Sequence, residues 1–116
     1  MTRLLALLTL IFSLTACQAD TSDMSQWLAD GVIIDTRTVE EFNSGHIEGA
    51  VLVPYDVIAQ RIASVVPDKS TPVLLYCRSG RRAGIAEKTL LNMGYTQVKN
   101  VGGLTDMQKF IESHQK

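Results

Sequence analysis

Only two cysteines, Cys17 and Cys77, and two histidines, His46 and His114, occur in the 116 residues. Disulfide exchange of the Cys-X-X-Cys type is excluded because neither thiol has a resolving partner nearby, and a cysteine-based zinc centre lacks ligands. Neither sign of charge is in excess: 11 Lys plus Arg stand against 12 Asp plus Glu, a net charge of -1. That balance gives no bulk attraction to a phosphate backbone, so nucleic acid is not an expected partner. No uninterrupted apolar run reaches the roughly 20 residues that cross a bilayer. What remains, 46% hydrophobic and 20% charged residues, is ordinary globular composition at the length of one domain.

The chain begins unlike the rest of itself. Arg3 precedes an apolar and hydroxyl run from Leu4 to Leu14, which suits the hydrophobic region of a secretory signal. Leu14-Thr15-Ala16-Cys17 follows directly and resembles a bacterial lipoprotein processing site, which implies cleavage before Cys17 and lipid on that residue. The alternative is an ordinary signal cleaved near Ala19, with Cys17 incidental. Residues 1–16 are therefore expected to be a signal peptide, 17–23 a polar tether and 24–116 the folded domain. Gln18 after the cysteine resembles the pattern of an outer-membrane destination, on the periplasmic side. With Cys17 lipidated, Cys77 is the only free thiol in a compartment that oxidises paired thiols.

Within the domain, short β-branched runs alternate with helical spacing. A brief helix is expected over Met24 to Ala29, with Trp27 on the core, and strands are expected at Val32 to Ile34, Val51 to Val53 and Val73 to Tyr76. Val98 and Val101 suggest a further strand, closed by a bend at Gly102-Gly103. Thr38 with Glu41 fits a capping box for a helix through Phe42 that stops near Gly45. Asp56 is expected to cap a helix burying Val57, Ile58, Ile62 and Val65. Ala83, Ala86, Leu90 and Met93 predict a helix ended by Gly94, and Met107, Phe110 and Ile111 a last one. The order predicts an α/β fold, a mainly parallel sheet with helices on both faces.

In such a sheet the ligand site lies beyond the carboxyl ends of the strands, where Asp35 and Cys77 both fall. A cysteine between a buried strand and a helix start meets converging backbone N–H groups, which cradle an anion. A thiol with the free pKa of about 8.5 is mostly protonated at neutral pH, so a nucleophilic Cys77 needs its charged form favoured. Arg78, Arg81 and Arg82 are expected to supply part of that, since one cation about 6 Å away is worth roughly two pKa units before screening. The alternative for Cys77 is a small buried hydrophobe. Reactive cysteines occupy electropositive, partly exposed sites, and three Arg and a Gly in the next five residues favour that reading.

Cys77-Arg78-Ser79-Gly80-Arg81-Arg82 after Val73-Leu74-Leu75-Tyr76 resembles the active loop of the rhodanese family of sulfurtransferases. Ile34-Asp35-Thr36-Arg37 with Glu41-Phe42, then Gly45-His46-Ile47-Glu48-Gly49-Ala50, is similar to the family's amino-terminal signature. Gly94-Tyr95 through Gly102-Gly103 resembles its closing segment. The resemblance implies a five-stranded parallel core and no cofactor. It also implies a two-step reaction in which Cys77 takes sulfur from an anionic donor such as thiosulfate and passes it to cyanide or a thiol. Arg78, Ser79, Gly80, Arg81 and Arg82 would bind substrate, with Asp35 and Arg37 supporting the loop.

Two positions depart from the family pattern. Glu48 stands where Pro is usual, and Arg81 where a smaller polar residue is common, which is expected to favour anionic donors. Two rival functions share the thiol. A phosphatase or arsenate reductase would place Arg six positions after the cysteine, where this chain has Ala83. A non-catalytic persulfide carrier or anion-binding module could use the same pocket. His46 is expected to pack within its loop, and Glu40 and Glu41 to serve a helix start, where negative charge is favourable.

Overall fold

Val73–Cys77 is an unbroken apolar run, and it forms β3, the one strand in which every residue is buried. The computed structural model describes residues 24–115. The expected signal peptide and tether, with Cys17, lie outside the described residues. Successive β3 side chains point to opposite faces: Val73, Leu75 and Cys77 join one hydrophobic cluster, Leu74 and Tyr76 the other.

Around β3 the chain lays down α1 (Met24–Asp30), β1 (Val32–Asp35), α2 (Val39–Ser44), β2 (Val51–Leu52), α3 (Ile58–Val65), α4 (Arg81–Asn92), β4 (Val98–Gly103) and α5 (Leu104–His114). All strand pairs are parallel, in the order β2-β1-β3-β4. α3 and α4 cover the face of Val73 and Leu75, through Ile58, Ile62, Ala83, Ala86 and Leu90. α1 and α5 cover the other, through Trp27, Leu28, Met107 and Phe110. The strand order reverses between β1 and β3, so the crevice at that reversal opens between the ends that carry Asp35 and Cys77.

Three expectations are corrected. The described residues form four strands, not five: the sequence itself contains only four strand-like runs, and the segment before β1 is the helix that the Trp27-Leu28 spacing predicts. Asp56 caps nothing. Tyr55–Val57 instead forms a 3-10 turn after Pro54, and α3 starts at Ile58 with no side-chain cap. Ile58 and Ile62 are fully buried while Asp56 lies exposed, so packing sets this helix without the cap. Finally, Gly102-Gly103 is the end of β4 and not a bend beyond it. A side chain at Gly103 would stand 2.3 Å from the Arg78 carbonyl oxygen, so only glycine lets β4 run this close to the loop after β3.

The Thr38 capping box forms as the sequence predicts: the Glu41 N–H donates to Thr38 Oγ1 and the Thr38 N–H donates to Glu41 Oε1. His46 stacks on Phe42 with ring centroids 3.6 Å apart and its Nδ1 lies 2.8 Å from the Phe42 carbonyl oxygen, a packed and exposed histidine.

Candidate active site

β3 delivers Cys77, and the chain then turns at once into α4. The turn is tight because Gly80 adopts φ +99°, a left-handed conformation that favours glycine, and it serves as the N-cap of α4. The Gly80 N–H donates to Cys77 Sγ at 2.9 Å. The N–H groups of Ala83, Ser79 and Arg82 also point at the sulfur. Burial pushes the thiol pKa up, and these four amides outweigh it, so the Cys77 pKa falls below the ordinary thiol value. An anionic sulfur at the positive end of a 12-residue helix gains from the aligned peptide dipoles as well.

Two details differ from expectation. Cys77 has no exposed surface, because its side chain joins the hydrophobic cluster of the α3 and α4 layer and the Gly80 N–H lies against its sulfur. Backbone amides, not guanidinium groups, do most to lower its pKa. Arg82 Nη1 and Nη2 donate to Glu41 Oε1 and Oε2 at 2.7 and 2.9 Å, a two-pronged pair that spends most of that charge on α2. The same pair holds the Glu41 carboxyl down at about 2, the Arg82 hydrogen bonds being the largest cause. Arg78 and Arg81 are exposed and form no ion pair among the described residues.

At the end of β1, Asp35 and Arg37 bind one another. Arg37 Nε and Nη2 donate to the carboxylate at 2.9 and 2.7 Å, and the Arg37 N–H adds a third bond at 2.9 Å. Arg37 Nη2 also reaches the Gly45 carbonyl at 2.7 Å. The guanidinium lies 5.5 Å from the centre of the Tyr76 ring, and the Tyr76 hydroxyl accepts from the Ile47 N–H at 3.0 Å. Burial first of all raises the Tyr76 phenol to about 12, so it stays neutral. This network ties the loop around Gly45 to the sheet and makes no hydrogen bond to residues 78–82. The link from α2 to the cysteine loop is Glu41, which the sequence marks only as a helix-start residue.

Asn100 on β4 completes the site and is not legible as part of it from the sequence. Its Nδ2 donates to the Gly80 carbonyl at 2.9 Å. Beside the loop opens a cleft of about 400 Å³ walled by Arg37, Glu41, Ser44, Arg78, Thr105 and Asp106. Among the described residues no group of three His, Cys, Asp or Glu side chains could hold a metal ion. The arrangement favours the ionised form of one sulfur and can hold a small negative charge placed on or next to it.

Residues 20–109 match the rhodanese-like domain, and the chain belongs to the rhodanese family. Among its relatives, Thiosulfate sulfurtransferase PspE of Escherichia coli is 40% identical over 100 residues, covering 86% of each chain. A Sulfurtransferase of Allochromatium vinosum is 35% identical over 89 residues, covering 74% of this chain and 81% of that protein. A solved E. coli rhodanese with anions aligns with TM-score 0.64 and 43% identity, over 66% of this chain and 89% of that one.

Proposed function

We propose that this chain is a thiosulfate:acceptor sulfurtransferase that carries sulfur as a persulfide on Cys77. The observation that carries the reading is the ring of amides around Cys77 Sγ, with the Gly80 N–H at 2.9 Å. In the first step the thiolate attacks the outer sulfur of thiosulfate. A sulfur–sulfur bond forms to Cys77, the bond inside thiosulfate breaks, and sulfite leaves with the electron pair. The new terminal sulfur carries the negative charge, and the amides at the α4 start stabilise it as they do the thiolate. In the second step cyanide attacks that terminal sulfur, thiocyanate leaves, and the Cys77 thiolate returns. A thiolate acceptor would become a persulfide by the same displacement.

Ser79 and Gly80 contribute backbone donors in this scheme. Arg78 and Arg81 draw the dianionic donor by charge, and Arg82 holds the loop through Glu41. Asp35 and Arg37 support the strand end beside it. Intact mass of the purified protein after thiosulfate treatment should rise by one sulfur atom, return on adding cyanide, and not rise at all in Cys77→Ser. A wild-type mass that thiosulfate leaves unchanged would overturn the reading. Repeated turnover with cyanide separates an enzyme from a carrier, which gives one turnover and stops. Hydrolysis of phenyl phosphates is expected to be absent, since Ala83 stands where a phosphatase loop needs Arg.

We further infer export to the periplasm and attachment to the outer membrane through lipid on Cys17, the alternative being a soluble periplasmic protein. The signal-like residues 4–14 and Leu14-Thr15-Ala16-Cys17 support this. Labelled palmitate should enter the protein in a bacterial host and be lost in Cys17→Ser. An unlabelled protein free in the periplasm would favour cleavage near Ala19 instead.

A further inference from the structure

β3 and β4 pair in register from Val73 opposite Val98 to Leu75 opposite Asn100, and then the register slips, so that Tyr76 faces Gly102. Val101 is the extra residue of a β-bulge, a device that bends a strand and re-aims a neighbouring side chain. The bulge turns the Asn100 side chain toward the cysteine loop, and both ends of its amide are engaged. Oδ1 accepts from the Gly102 N–H at 3.0 Å, closing the bulge, and Nδ2 donates to the Gly80 carbonyl at 2.9 Å. The Asn100 N–H in turn donates to Glu87 Oε2 on α4 at 3.1 Å.

Gly80 thus has two tasks. Its N–H faces Cys77 Sγ, and its carbonyl, which also accepts the first helical bond from the Gly84 N–H at 2.9 Å, is held by Asn100. Gly80 sits at φ +99° with no side chain to hold that conformation by packing. Apart from Cys77 itself, Asn100 is the only residue whose side chain hydrogen-bonds Gly80 among the described residues. Small residues surround the amide: a Cβ at Gly80 would stand 3.4 Å from Gly102 Cα, and one at Gly84 would stand 3.3 Å from Asn100 Nδ2.

We propose that Asn100 is a positioning residue for sulfur transfer: by fixing the Gly80 carbonyl from the β4 bulge, it holds the left-handed turn that aims the Gly80 N–H at Cys77 Sγ. This rests on the sulfurtransferase reading for its purpose, though not for its test. The charged and titratable groups around the loop are Arg78, Arg81, Arg82 with Glu41 from α2, Arg37 after β1, Tyr55 before α3, Glu87 from α4 and Asp106 from α5, and none of these residues is altered in the variants below.

Asn100→Asp keeps an oxygen for the Gly102 N–H but sets a second oxygen against the Gly80 carbonyl, while Asn100→Ala removes both contacts. Thiolate ultraviolet absorbance of the full chain, corrected with Cys77→Ser, reads the Cys77 titration without requiring any sulfur transfer. Its midpoint should rise by about one unit in Asn100→Ala and further in Asn100→Asp. At neutral pH kcat/KM for thiosulfate should fall by up to about tenfold, the limit that a one-unit rise allows, and it should recover as the pH is raised, which a merely loosened fold would not do. Gly84→Ala covers the case in which both variants fail to fold. It favours the helix while crowding Nδ2, and should raise the midpoint by a smaller amount in the same direction. A midpoint equal to wild type in every variant that folds, or a loss of kcat/KM that high pH does not restore, would overturn the proposal. Absence of sulfur transfer in the wild type would overturn the functional reading alone, leaving the titration to decide the role of Asn100.

Discussion

Two arginine–carboxylate pairs stand near the carboxyl edge of the sheet, and they are built for different ends. Arg37 and Asp35 are two residues apart, with side chains only 7% and 0% exposed. Arg82 and Glu41 are 41 residues apart and keep 18% and 26% of their side-chain surface. The first pair is sunk among Tyr76, Thr36 and the Gly45 carbonyl, where losing one partner strands a buried charge. The second bridges two helix starts across the cysteine loop, where water screens what is lost. The same chemistry therefore acts as a structural rivet in one place and as an adjustable strut in the other.

Breaking the rivet should have the largest effect. Asp35→Ala leaves Arg37 buried without its counter-charge, and urea denaturation should show a loss of about 3–5 kcal/mol. A loss below about 1 kcal/mol would put the two pairs in one class. Glu41→Gln retains an oxygen for the Thr38 cap and removes only the charge that holds Arg82. Its unfolding free energy should change by less than about 1 kcal/mol, while persulfide formation measured by rapid mixing slows about fivefold as the loop end loosens.

Acid offers a finer test of the strut. The Glu41 pKa, about 2 in the folded chain against an ordinary 4.5, is depressed by folding. Its contribution to stability is therefore fully present above pH 4.5 and is lost as the pH falls toward 2. The stability gap between wild type and Glu41→Gln, followed by denaturation at successive pH values, should close across that window. A gap that persists below it would assign the effect to something other than the ion pair. The smallest structural effect belongs to Arg81→Ala, an exposed position: stability should stay within about 0.5 kcal/mol, while KM for thiosulfate rises severalfold in steady-state assays at low salt. An unchanged KM would show that Arg81 does not draw the donor.

The difference between the two pairs also marks what could be read from the chain. Asp35 and Arg37 are close in sequence, at the end of an apolar run, so both were visible as a candidate support. The Cys77 loop was visible for a similar reason: a buried strand, a nucleophile, a glycine and a helical period follow one another without a gap. Glu41 was seen as a capping residue, and it is one, but its second partner is 41 residues away and leaves no local trace. Asn100 is illegible in the sequence because a single register slip aims it, and a slip between two strands has no signature in either strand alone. Helix α3 shows the converse error. Asp56 has the chemistry of a cap, yet the burial of Ile58 and Ile62 decides where the helix runs.

A sulfur with no surface of its own also changes what can damage it. An oxidant must first gain access past the sulfur's neighbours, and the sulfur donor of the proposed reaction meets the same requirement. Once cargo is loaded in the proposed chemistry, the reactive atom sits one sulfur–sulfur bond, about 2 Å, from Cys77 Sγ. An acceptor then has to reach the passenger and not the vehicle.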